Sequence, residues 1–161
     1  MKIAVFVGSQ LPFSFSTLIN KFPNDEIYII GSEKIRPFIP TKMQWVKAEK
    51  QFLSQKFTVQ SSLSAIGIEK LVVFNTLFPK LQQSDSQIEK VAFIDEIGFI
   101  NHPYLYSFFE KKKWKRIMLN QIQFADHVKV PTDFVKFILQ NQFKIDDKIK
   151  VEWTNSDVIK N

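Results

Sequence analysis

The chain has 161 residues, 45% of them hydrophobic, which is enough for one domain with its own core. It contains no cysteine, and this excludes disulfide staples, thiolate metal sites and thiol nucleophiles and suits a reducing compartment. A net charge of +6 and a pI near 9.4 favour anionic partners.

The chain begins MKIAVFVG, an apolar run too short for a signal peptide. Residues 2–7 instead read as a strand buried on both faces of a parallel sheet, ended by Gly8-Ser9. Phe15, Leu18, Ile19 and Phe22 give a first helix its apolar face. Residues 26–30 make a second strand, ending at Gly31, and residues 43–46 a third. The polar, Ser- and Gln-rich stretch 50–66 carries Phe52, Leu53, Phe57, Val59, Leu63 and Ile66. It reads mostly as helix, with Gly67 as the C-terminal stop. Residues 71–74 and 91–94 are further buried strands, and 81–87 reads as a surface loop. Strands alternating with helices predict the α/β class, as a Rossmann-like doubly wound parallel sheet with helices on both faces. No run approaches the roughly 20 apolar residues needed to span a bilayer. A cytoplasmic location is therefore expected.

Residues 101–124 carry two apolar faces. Tyr104, Leu105 and Phe108 share one at helical spacing, while Trp114, Ile117, Met118 and Ala125 define another, rotated well away. A break is therefore expected near Lys111, Lys112 and Lys113. Lys115 and Arg116 extend the basic run, opposed only by Glu110. Aromatic rings beside cations suit an anionic membrane surface, where each cation contributes about 1 kcal/mol. Tyr104, Lys111, Lys112, Lys113, Trp114, Lys115 and Arg116 are thus candidate membrane-surface residues. The plainer alternative is a solvated turn between two core helices. Nucleic acid is not expected as a partner, because the phenylalanines fall mostly at core spacing and no recognition motif is present.

The stretch 124–157 has the clearest order. A helix runs out at Phe124-Ala125, and His127 opens a strand over residues 127–130. Thr132 is placed to cap the next helix and Asp133 suits its first turn. Phe134, Val135, Ile138 and Leu139 give that helix a buried face. Asp146-Asp147 then turns the chain into a final strand over residues 148–153, with a polar tail after it.

In a parallel sheet, ligands sit beyond the carboxyl ends of the strands. Four loops qualify: Gly8-Ser9-Gln10, Gly31-Ser32-Glu33, Asn75-Thr76 and Asp95-Glu96. Gly8 would let backbone N–H groups approach a ligand oxygen, and Ser9 adds a hydroxyl. The motif is neither a dinucleotide fingerprint nor a phosphate loop. Asp95 and Glu96 would point in opposite directions if their strand continued, so they are not a ready-made acid/base pair. Asp95 can either bind a ligand hydroxyl or cap the next segment. His127 reads as structural. His102, before Pro103, reads as a helix cap lying near the presumed cleft. Neither histidine has a setting for a Ser-His-Asp nucleophile.

The order Ala125-Asp126-His127-Val128, Thr132-Asp133-Phe134-Val135-Lys136, Lys148-Ile149-Lys150-Val151 and Asn155-x-Asp157 resembles the end of the N-terminal domain in GT-B-fold glycosyltransferases. The nearest match is to the large retaining group that uses nucleotide-sugar donors. That family carries Asn-Gly-x-Asp where this chain has Asn155-Ser156-Asp157, and His-Asp where this chain has Ile94-Asp95. The resemblance implies an acceptor-side domain over residues 1–153, with 154–161 starting an interdomain linker or a tail. It implies Asp95 as catalytic residue and Gly8, Ser9, Asn75, Thr76, Glu96 and His102 as cleft residues. No cofactor or metal is expected in this domain. The nucleotide-sugar donor would be held by a second domain or separate subunit, and the acceptor would be a saccharide or lipid-linked molecule. The chain alone would then be inactive, and a peripheral place on the inner membrane face is implied. The competing class is a non-catalytic module that docks on membranes or binds nucleotides in a flavodoxin-like fold.

Overall fold

The computed structural model describes residues 1–11, 14–53, 56–144 and 150–153, the last four as backbone. The expected turn at Asp146-Asp147 and the segment carrying Asn155 and Asp157 lie outside the described residues. The chain is mixed α/β with mostly parallel strands, and it divides into two compact units.

The first unit comprises residues 1–74 and 78–90. Its centre is β1 (Lys2–Gly8), with β2 (Glu26–Gly31) parallel on one side and β5 (Lys70–Phe74) parallel on the other. Then β3 (Gln44–Lys50) joins β2 in parallel, and β4 (Phe57–Val59) lies outside it, giving the strand order β4-β3-β2-β1-β5. Ile3 to Val7, Ile27 to Ile30 and Leu71 to Val73 are all buried, as expected of central parallel strands covered on both faces. The first helix, α1 (Phe15–Lys21), is capped by Ser14, whose hydroxyl accepts from the Thr17 N–H at 3.3 Å. It buries Leu18 alone, and Ile19 stays exposed, so its apolar face is narrower than the sequence predicts.

One expectation fails here, and a second, the surface loop 81–87, holds at every residue but Asp85. The predicted helix over 50–66 is absent among the described residues; β4 instead pairs antiparallel with the open edge of β3. That edge supplies backbone partners, such as the Lys47 carbonyl accepting from the Gln60 N–H at 3.1 Å, and the β-branched Thr58 and Val59 suit a strand. Phe52, which the helix reading counts as core, is 92% exposed. Only the end of the prediction holds: a single 3-10 turn at Ser64–Ile66 is stopped by Gly67 with φ at +80°. The predicted surface loop 81–87 in turn carries Asp85, which is 0% exposed. Its carboxylate accepts from the N–H groups of Leu63 and Ser64, both at 2.9 Å, and from the hydroxyls of Ser62 and Ser64 at 3.0 and 2.8 Å. Both segments are tied down by partners distant in sequence, which local patterning cannot see.

The second unit comprises residues 75–77 and 91–161. It contains the end of β6 (Glu89–Phe93), with β7 (His127–Val130) and β8 (Lys150–Trp153) beyond it in parallel. Two helices, α2 (Gly98–Asn101) and α3 (Phe108–Phe124), lie between β6 and β7 in the chain, and α4 (Asp133–Gln142) lies between β7 and β8. The predicted break at Lys111 to Lys113 does not occur, and α3 is continuous. Its start is set by a capping box, in which the Ser107 hydroxyl accepts from Glu110 N–H at 3.2 Å and Glu110 accepts from Ser107 N–H at 2.7 Å. Met118 and Gln121 are the residues α3 buries, so its N-terminal half meets no conflicting demand. Tyr104, Leu105 and Phe108, the first of the two apolar faces, are 69–78% exposed and so do not face a core, and the neighbouring Phe109 is exposed as well.

The start of α4 is as predicted: Thr132 accepts from the Val135 N–H at 3.2 Å, and Val135 and Leu139 are buried. Phe134, expected inside, is exposed. Thr132→Ala removes this acceptor and should cost about 1 kcal/mol, near the centre of the range for N-cap losses. Urea unfolding of the two proteins measures it. A wild-type midpoint in the variant would mean that water serves the Val135 N–H equally well.

Candidate functional site

At the carboxyl end of β6 the chain passes buried Ile94 and emerges at Asp95. Asn75 organises this exit. It sits in the left-handed region with φ at +48°, a conformation that Asn tolerates better than most residues. Its N–H donates to the Phe93 carbonyl at 3.1 Å. Its side-chain oxygen accepts from the N–H groups of Asp95 and Glu96 at 3.2 and 3.3 Å, and its amide nitrogen donates to Asp95 Oδ1. Asp95 is therefore an exposed carboxylate whose Oδ1 is held by the Asn75 amide. Thr76 lies at the same bend, half-buried.

Glu96 is engaged differently. It is half-buried, accepts from Gly98 N–H at 2.9 Å at the start of α2, and accepts from the Tyr106 hydroxyl at 3.1 Å. The strand stops at Phe93, so the two carboxylates are kept apart by their partners, Asn75 for one and Gly98 with Tyr106 for the other. The capping role open to Asp95 thus belongs to Glu96. The bond to Glu96 holds the Tyr106 phenol above the usual tyrosine range, and burial and the charges of Glu96 and Glu110 act in the same direction. No local pattern announces Tyr106, because its partner lies ten residues earlier.

Outside this cluster, His102 is exposed, and its Nδ1 lies 3.2 Å from the Tyr104 hydroxyl. Its side chain makes no cap bond to the turn at Pro103–Leu105, so the predicted capping role is not observed. His127 is half-buried in β7. Gly8 and Ser9 belong to the first unit. Gly8 is buried with φ at +67°, its carbonyl accepts from the Ser32 N–H at 2.9 Å, and the Phe57 ring lies over it. Ser9 is exposed.

On α3, Lys112, Lys113, Lys115 and Arg116 are exposed and Lys111 and Trp114 half-buried. Lys113 Nζ stands 5.7 Å from the Trp114 ring centroid. No salt bridge among the described residues involves these cations. Among the described residues no group of three or more His, Asp or Glu could hold a metal ion, and no helix is long and apolar enough to cross a membrane.

An oriented, exposed carboxylate beside a half-buried carboxylate–phenol pair can accept hydrogen bonds from hydroxyl groups and can take a proton from one. No protein-family model and no curated protein matches the chain.

Proposed function

We propose that the chain is the acceptor-binding half of a GT-B-type glycosyltransferase, built on a Rossmann-like doubly wound sheet with helices on both faces. The carrying observation is the exposed Asp95 carboxylate, aimed by Asn75 at the carboxyl end of a parallel strand. In this reading Asp95 receives an acceptor hydroxyl, while Glu96, anchored by Gly98 and Tyr106, shapes the neighbouring wall. The strand order supports the doubly wound topology: β2 and β3 extend to one side of β1 and β5 to the other, which creates a switch point of the kind that holds ligands. The nucleotide-sugar donor is held by a second domain or subunit, and the acceptor is a saccharide or a lipid-linked molecule.

Two measurements test this. Calorimetric titration of the chain with UDP- and GDP-sugars should give at most weak binding, and micromolar affinity would overturn the division of labour. With a donor-binding half supplied, Asp95→Ala should lower transfer by about 100-fold or more. An exposed polar replacement usually changes stability by less than about 0.5 kcal/mol. A large loss of stability would make Asp95 a structural group instead.

A second reading is favoured by its own observation. Tyr104, Leu105, Phe108 and Phe109 stand in solvent directly before the basic run of α3. This arrangement suits docking at the cytoplasmic face of an anionic membrane, with rings among the headgroups and cations against phosphate. Docking and acceptor binding are compatible when the acceptor is lipid-linked.

A further inference from the structure

We infer that the second unit holds one anionic lipid in a defined groove, with its phosphate among Lys111, Lys112 and Lys115 and its acyl chain against Phe99, Phe108 and Phe143. These residues line a groove of about 590 Å³ formed from α2, α3 and the end of α4. Such a volume falls within the roughly 300–1,000 Å³ of small-molecule sites.

The argument rests on two needs that one ligand meets together. Lys111 and Lys115 are one helical turn apart, and Lys112 and Lys115 three residues apart, so their like charges repel along one side of α3. The nearest acid in the sequence, Glu110, spends its carboxylate on the Ser107 N–H. Beside these ammonium groups Phe108 keeps most of its ring in water. A free phosphate would answer the lysines and leave the Phe108 ring wet; a neutral lipid would cover that ring and leave the lysines unpaired. A phospholipid with an anionic head does both. Tyr104 and Phe109, exposed next to this segment, would sit at the interface from which the lipid is drawn.

The inference deepens the docking reading and rests on it, but its consequences differ. Diffuse attraction depends on how many cations face the membrane, whereas a groove depends on which ones do. Two variants remove equal charge: Lys112→Gln with Lys115→Gln inside the groove, and Lys113→Gln with Arg116→Gln outside it. All four positions are exposed, and thermal melts verify that both proteins remain folded. The probes are monomeric dihexanoyl phosphatidic acid, dihexanoyl phosphatidylcholine and inorganic phosphate, titrated by calorimetry, together with vesicles containing phosphatidylglycerol. The groove pair should weaken phosphatidic acid binding by about tenfold or more, and the outside pair by less than about twofold. Phosphatidylcholine and inorganic phosphate should each bind far more weakly than phosphatidic acid.

Equal weakening by the two pairs would overturn the groove while leaving diffuse docking in place. Inorganic phosphate binding as tightly as phosphatidic acid would overturn the lipid and leave a plain anion site. Absence of binding to both the phosphatidic acid and the vesicles would overturn groove and docking together.

Discussion

Asp85→Ala is expected to destabilise the chain by about 3 kcal/mol or more, since each buried donor left without its acceptor costs about 1–3 kcal/mol. Four donors converge on this carboxylate: two backbone N–H groups and two hydroxyls, all from the segment Ser62, Leu63 and Ser64. Leu63 is itself fully buried, so the segment cannot swing outward to find water without uncovering core. Asp85→Asn keeps the size but turns an NH₂ toward donors, and should recover only part of the loss. At about 2–4 °C per kcal/mol for a chain of this size, the alanine variant should melt roughly 10 °C lower.

The same carboxylate sets a pH dependence. Burial alone would raise its pKa, but the N–H groups of Ser64 and Leu63 and the hydroxyls of Ser64 and Ser62 outweigh burial and hold it below the usual aspartate value. A lowered folded pKa adds stability that is complete above the unfolded value of about 4, and that is lost as the pH falls through the folded value. Wild type and Asp85→Asn should therefore differ fully at neutral pH and converge in acid. Melting curves between neutral and strongly acidic pH decide the matter. A gap that stays constant across that range would show that the carboxylate charge is not what holds the loop.

Gly31→Ala should also be strongly destabilising, by about 1–3 kcal/mol, the usual cost of overpacking a well-filled site. A methyl group there would lie 2.7 Å from the Gly8 carbonyl oxygen and would collide with the end of the Ile35 side chain. Gly8 and Gly31 are register partners across β1 and β2, and the same carbonyl accepts from Ser32 N–H. Relief therefore requires the strand ends to part, because backbone cannot rotate aside as a side chain can. Adding Ile35→Ala separates the two obstacles. It should fail to restore stability, since the carbonyl remains and a buried isoleucine is lost. Full recovery in the double variant, measured by denaturant unfolding, would mean that Ile35 was the sole obstruction.

Much of the candidate site is legible one residue at a time, but its arrangement is not. Asn75, Asp95 and Glu96 can be singled out because they end strands in a parallel sheet, and the structure brings these three together. That Asn75 orients both carboxylate residues depends on a contact spanning twenty residues and on a left-handed backbone that Asn shares with many ordinary turns. Tyr106 is not legible in the sequence, because its role as a partner exists only once α2 has turned the chain back toward Glu96.

What the sequence alone determined are the features whose causes are local. The β-branched runs of β1, β2 and β5 announce strands buried on both faces, because nearly every side chain in them is apolar whichever way it points. The strand at His127–Val130 and the cap at Thr132 come from short-range rules, with each partner within a few residues. Tertiary structure decided the rest. Residues 57–59 became a strand because β3 offered an unpaired edge. Asp85 went inside because donors more than twenty residues away converged on it. Helical spacing showed two apolar faces around α3, but only the folded chain decided which of them found a partner and which, with Tyr104, Leu105 and Phe108, was left facing water.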